Sequence, residues 1–192
     1  MNSLDWRGRP QPVETLRDYG DLVRFMVASG ALDPSQARTL FDWGERHPKR
    51  AARALERARA TREAIARLVK EISAGRRLPR EDAERLEQDC RKAMETRSLV
   101  PGPTAMAWQW KGYEMDPDRP RWIAALDAER LLTDVARAPI RECEGSGCGW
   151  FFLDKSRNRR KRWCSMDGCG NRAKAQRFYR KKRDASGSPS HS

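Results

Sequence analysis

Cys143 and Cys148, then Cys164 and Cys169, are the residues of this 192-residue chain whose types and spacing could do chemistry. Four residues separate the members of each pair, and fifteen lie between the pairs. Two such knuckles folded back on one another offer four thiolates to one ion, the tetrahedral set that suits Zn²⁺. Four cysteine ligands leave no place for a water, so one structural rather than catalytic zinc is implied. Disulfides are the alternative for the same four residues, and a reducing compartment argues against them. Gly145, Gly147 and Gly149 around the first pair let the backbone wrap tightly and aim amides at sulfur. The fifth cysteine, Cys90, sits far from the quartet and reads as a half-buried helix residue.

Interleaved with the cysteines is Lys155-Ser-Arg-Asn-Arg-Arg-Lys-Arg162, in which six of eight residues are cationic. A second basic run, Arg172 to Arg183, follows the last cysteine. The net charge of +13 is unevenly placed: residues 141–183 hold 14 Lys+Arg against 4 Asp+Glu, and residues 1–140 hold 26 against 22. Such asymmetry points to a polyanionic partner for one end, and a metal-stapled cationic module fits nucleic acid. The candidate contacts are Arg157, Arg159, Arg160, Lys161 and Arg162 on the turn. Arg172, Lys174, Arg177, Arg180 and Lys181 are those on the following helix. The turn would meet phosphates and set register, whereas arginines on a helix fixed at Cys169 suit base edges. A merely solvated surface is the alternative reading of both runs.

The elements that must position these residues are short. Trp150, Phe151, Phe152 and Leu153 form a β-prone run, and Trp163 precedes the third cysteine. Two strands joined by a basic turn over 156–161 would place Cys148 and Cys164 at the same end of a hairpin. Asn171 is a candidate cap for a helix running toward Lys182. Phe178, with Tyr179, would pack toward the hairpin aromatics.

Upstream the chain reads as helical. Residues 1–12 are polar and Pro-rich, an extended lead-in. Leu16, Tyr19, Leu22, Val23 and Met26 give helical spacing over 14–29, ended by Gly30. Asp33-Pro34 starts a second helix to about Arg46, because Asp caps and Pro is preset for the first turn. Pro48 to about Ser73 is rich in Ala and Arg and predicts the longest helix. A fourth, from Pro79 to about Thr96, places Ala83, Leu86, Cys90 and Met94 on one stripe. Pro101-Gly102-Pro103 reads as a stop. Met106, Trp108 and Trp110 at period two predict a short strand or hairpin, with the tryptophans in the core, a ligand cage being the alternative. A last helix spans 121–136 with Trp122, Ile123, Leu126, Leu131, Leu132 and Val135. The fold class is therefore mainly α: a helical domain over 1–140 with a short strand or hairpin, then a zinc-stapled β-hairpin plus helix over 141–183. A disordered tail over 184–192 ends the chain.

No run of about 18 apolar residues is present, so no membrane span is expected. The first residues lack the apolar segment of a secretory signal, which places the chain in the cytoplasm, at the nucleoid when bound to DNA. No Ser/His/Asp set, phosphate loop or paired carboxylate motif is found, so an enzyme is not expected. His47 and His191 read as surface residues or helix ends.

The stretch from Cys148-Gly-Trp-Phe-Phe-Leu-Asp-Lys through Trp-Cys164-Ser-Met-Asp-Gly to Cys169-Gly170-Asn171-Arg172 closely resembles the CGNR zinc finger family. Asp5-Trp-Arg-Gly-Arg-Pro and the helices after it resemble ABATE, the helical domain that accompanies this finger in stress-induced transcription regulators. The resemblance implies that Cys143, Cys148, Cys164 and Cys169 are metal ligands and that Arg157, Arg159, Arg160, Arg162 and Arg172 are its basic positions. It departs at the start, where the family has an apolar strand ending in Asn-Thr and this chain begins at about that Asn. The implied function is a DNA-binding transcription regulator whose helical domain senses a small-molecule effector or forms a homodimer. The alternative is an RNA-binding accessory protein, in which Trp150, Phe151, Phe152 and Trp163 would stack unpaired bases.

Overall fold

Asp18 decides where the first helix begins. Its side chain accepts from the Asp21 amide at 2.7 Å, so helix α1 runs Tyr19–Ala28 rather than from residue 14. The computed structural model describes residues 1–111, 116–134 and 138–186. Helix α2 is Pro34–Arg46, started by Asp33, whose carboxylate accepts from the amides of Ser35 and Gln36 while Gln36 reaches back to the Asp33 amide. Helix α3, Pro48–Ser73, is the longest, as its Ala/Arg content predicts. Helices α4, Arg80–Glu95, and α5, Arg119–Thr133, complete this unit with a hairpin between them. Val135 of the expected last helix lies outside the described residues.

The chain divides into two compact units. One comprises Glu14–Arg137 (with Met1), and the other Asn2–Val13 with Ala138–Ser192. In the helical unit Leu16, Tyr19, Leu22, Val23 and Met26 pack with Leu40 of α2 and Ala51, Ala54 and Leu55 of α3. The buried stripe of α4 is Asp82, Leu86, Asp89 and Ala93. It differs from the expected one, for Ala83 and Met94 face solvent and Cys90 is half-buried. Ion pairing rotates the helix. Arg67 grips Asp82 with two bonds of 2.8 and 2.6 Å, while Asp89 accepts from Thr61 at 2.5 Å and is paired with Arg121. Buried carboxylates with guanidinium partners are tolerated where unpaired ones are not.

The hairpin pairs Arg97–Pro101 with Met106–Trp110, Leu99 opposite Trp108. The first of these strands was not expected. Pro101-Gly102-Pro103, read as a stop, enters its turn, with the Gly102 amide donating to the Ala105 carbonyl at 2.8 Å. Neither tryptophan is in the core. Trp108 is exposed and Trp110 half-buried, and the Arg97 guanidinium lies over both rings at 5.0 and 5.4 Å. His47, expected at the surface or at a helix end, joins α2 to α3 and stacks on Trp43 at 5.0 Å between ring centres.

Candidate metal centre

In the second unit, strand Phe151–Leu153 pairs antiparallel with Ile140–Glu142, not with the segment around Trp163. The hairpin partner therefore lies before the first cysteine. The basic segment is a loop rather than a hairpin turn. Two bonds tie these strands to the knuckles, the Cys143 amide donating to the Trp150 carbonyl at 2.8 Å and the Glu144 amide to the Arg162 carbonyl at 2.9 Å.

The four cysteines converge. Their sulfurs all lie within 4.8 Å of one another, with Cys148–Cys164 at 3.8 Å and Cys164–Cys169 at 3.7 Å. A tetrahedral ion with metal–sulfur bonds of about 2.3 Å spaces its ligands by about 3.8 Å, so the set has the size zinc requires. Gly145 and Cys164 amides point at Cys143 sulfur at 3.4 and 3.3 Å. Burial raises the Cys148 thiol well above its usual range and lifts Cys164 to about 11. Burial acts on Cys143 as well, but the two amide donors together with the Cys169 and Cys164 thiols outweigh it and lower that thiol. Gly145 is required by space, since a Cβ there would lie 2.8 Å from Cys169 sulfur. Cys90, by contrast, is alone on α4 with its thiol near the Ala125 carbonyl, raised by burial to about 11.

Cys169 lies in a π-helical turn, Met166–Gly170, capped by Ser165, whose hydroxyl accepts from the Gly168 amide. Asn171 has helical backbone angles, so it continues this turn and is not the cap. Helix α6 then runs Asn171–Ser186. Asp184, Ala185 and Ser186, expected in the tail, are thus helical, and His191 lies outside the described residues. A thiolate in a first turn is favoured by the free amides and the positive end of the helix dipole.

The first residues of the chain complete this unit. The Asn2 side chain bonds both backbone groups of Phe151, donating to its carbonyl at 2.8 Å and accepting from its amide at 3.1 Å. Asp5 accepts from the Trp150 indole at 3.0 Å, and the Arg7 amide donates to the Cys148 carbonyl at 3.2 Å. Gly149, at φ +66°, passes so close that a Cβ would lie 2.8 Å from Arg7. Trp6 receives two guanidiniums, Arg9 at 3.6 Å and Arg172 at 4.7 Å. Sequence reasoning had this arm only as a lead-in. The one signal for it was the Asp5-Trp-Arg-Gly-Arg-Pro string, too polar to form a core of its own.

The ten cations singled out in the sequence divide into two groups. Arg172 donates to Cys169 sulfur at 2.9 Å. Arg162 pairs with Glu144 and lies 5.2 Å over Trp163, and Lys161 sits 5.2 Å over Phe152. Arg157, Arg159, Arg160, Lys174, Arg177, Arg180 and Lys181 are exposed and form no ion pair among the described residues. The loop itself is shaped by Asp154, which sequence reasoning missed. Only 1% exposed, it accepts from the Ser156 amide at 3.1 Å, the Lys161 amide at 3.0 Å and Arg141 at 3.0 Å. Phe178 and Tyr179, expected against the hairpin, are 64% and 68% exposed. Trp150, Phe152 and Trp163 instead pack around the cysteines.

A small hairpin, a cysteine tetrad and a helix started at the last ligand define a zinc-finger protein with one structural zinc. The CGNR zinc finger model matches residues 140–182. The ABATE model, described as a putative stress-induced transcription regulator, matches residues 1–138. The chain belongs to the ABATE family and carries a CGNR zinc finger at its C-terminal end. Comparison with curated proteins returns no match. Among the described residues no helix is long and apolar enough to cross a membrane.

Proposed function

We propose that the zinc module binds DNA and that the protein regulates transcription through it. The observation that carries this reading is helix α6. It is fixed at its start by Cys169 and presents Lys174, Arg177, Arg180 and Lys181 to solvent without carboxylate partners among the described residues. Sixteen residues span about 24 Å, enough to lie along a major groove. The loop cations Arg157, Arg159 and Arg160 add a second group for phosphates, held by the Asp154 turn. No observation favours the RNA alternative. The aromatics that would have stacked bases are buried or half-buried, Phe151 among them at 5% exposure.

The helical unit would then act as the sensing part. A cleft of about 440 Å³ beside α1, α2 and the start of α3 is lined by Arg24, Phe41, Gly44, Ala52 and Leu55, among others. That volume suits a small organic effector. The test is binding of the zinc-loaded protein to duplex DNA across a salt series. Arg157→Ala with Arg160→Ala should flatten the log K versus log[salt] slope by about 2, one for each phosphate no longer neutralised. An unchanged slope removes the loop from the interface, and absence of duplex binding removes the reading.

A further inference from the structure

Helix α6 carries an aromatic pair that the metal module does not use. The rings of Phe178 and Tyr179 meet edge to face 5.7 Å apart, both largely in water. At about 100° per residue they share one stripe with Ala175, roughly 100° wide. Lys174 and Lys181 border the stripe beside Phe178 and Arg183 borders it beside Tyr179, while Lys182 falls within it, one turn on from the rings. The helix holds seven Lys+Arg and a single acid, Asp184. A second copy of the same face would bring like charges together across the interface. An apolar groove on another protein would cover the rings but leave Lys174 and Lys181 with nothing to meet. Duplex DNA offers both halves, anionic backbone on either side of a groove whose thymine methyl groups give apolar contact.

We infer that Phe178 and Tyr179 are the part of α6 that meets the bases of DNA, with Lys174, Lys181 and Arg183 reaching the phosphates beside them. The inference rests on the DNA-binding reading and fixes which side of the helix faces the duplex: Lys174 and Lys181 lie beside the rings, whereas Arg177 and Arg180 fall on the far side and take no part in the base contact. Aromatic rings touch thymine methyl groups in a groove or wedge between base steps, and neither interaction displaces a counterion. The affinity they add is therefore insensitive to salt. That separates it from the lysine contribution.

The experiment uses the full zinc-loaded chain and a fluorescein-labelled mixed-sequence duplex of about 30 base pairs, some three helical turns and so longer than the helix. Binding is titrated by anisotropy across a salt series. Phe178→Ala with Tyr179→Ala should weaken binding about tenfold at every salt concentration and leave the slope unchanged. Lys174→Ala with Lys181→Ala should lower the slope by about 2. Zinc content and circular dichroism of the aromatic variant should match the parent, because neither ring supports the metal site. Parent-like duplex binding by the aromatic variant would overturn the inference while leaving DNA binding intact. Two other results would also overturn it: a parent dimer that the variant loses in sedimentation, or preference for phosphatidylserine vesicles over duplex that the variant loses. A parent chain that binds no duplex would remove the DNA-binding reading itself.

Discussion

Asn2 lies 149 residues from Phe151 in sequence, yet its side chain takes the place of a neighbouring strand, satisfying both backbone groups of Phe151. Asn2→Ala removes both bonds and no apolar packing. Each such bond contributes about 1 kcal/mol net, so about 2 kcal/mol is lost from the module, and more if the freed groups stay dry. Folding of a small metal module and metal binding are one equilibrium, so this loss should appear as weaker zinc binding. About 2 kcal/mol corresponds to about 30-fold in apparent zinc affinity. The assay is competition for zinc with a chromogenic chelator at fixed pH, parent against variant. The thermal transition of the helical unit should not move. Chelator competition identical to the parent would refute the reasoning, for it would mean that the N-terminal arm lies on the finger without supporting it.

Other expectations follow from the same geometry. Cys164→Ser should abolish stoichiometric zinc by elemental analysis and unfold residues 140–186, while the helical unit keeps its helix signal, since the module buries too little apolar surface alone. Arg172→Ala should speed zinc loss to a chelator about tenfold by removing a donor to Cys169 sulfur and the Trp6 stack, and Arg172→Lys should not restore it, because an ammonium cannot donate and stack at once. Arg17 and Arg24 hold the Asp21 carboxylate well below its ordinary range. The stability this gives is complete above about pH 5, where the unfolded carboxylate is almost fully ionised, and is lost as pH falls through the ordinary value toward the lower folded one. Melting of the helical unit between about pH 7 and about pH 2.5 should therefore show an acid-side loss that Asp21→Asn reduces.

The sequence by itself determined the metal ligands, because two equal cysteine spacings admit few geometries and zinc enforces one of them. It also determined where α2 and α3 begin, since Asp33, Pro34 and Pro48 are local signals that act through the backbone nearest to them. Only the tertiary structure decided the rest. Asp82 and Asp89 read as solvent residues until Arg67, Thr61 and Arg121 arrive from other helices to neutralise them. Ile140–Glu142 could not be paired with Phe151–Leu153 from the pattern, because a three-residue strand carries almost no register information of its own. Phe178 and Tyr179 looked like core by residue type, yet among the described residues no element comes back to cover them. The placement of Asn2, Asp5 and Trp6 on the finger is the clearest case. Hydrogen bonds and ring stacking between segments so far apart in the chain leave no periodicity to read, and they exist only once the two ends have met.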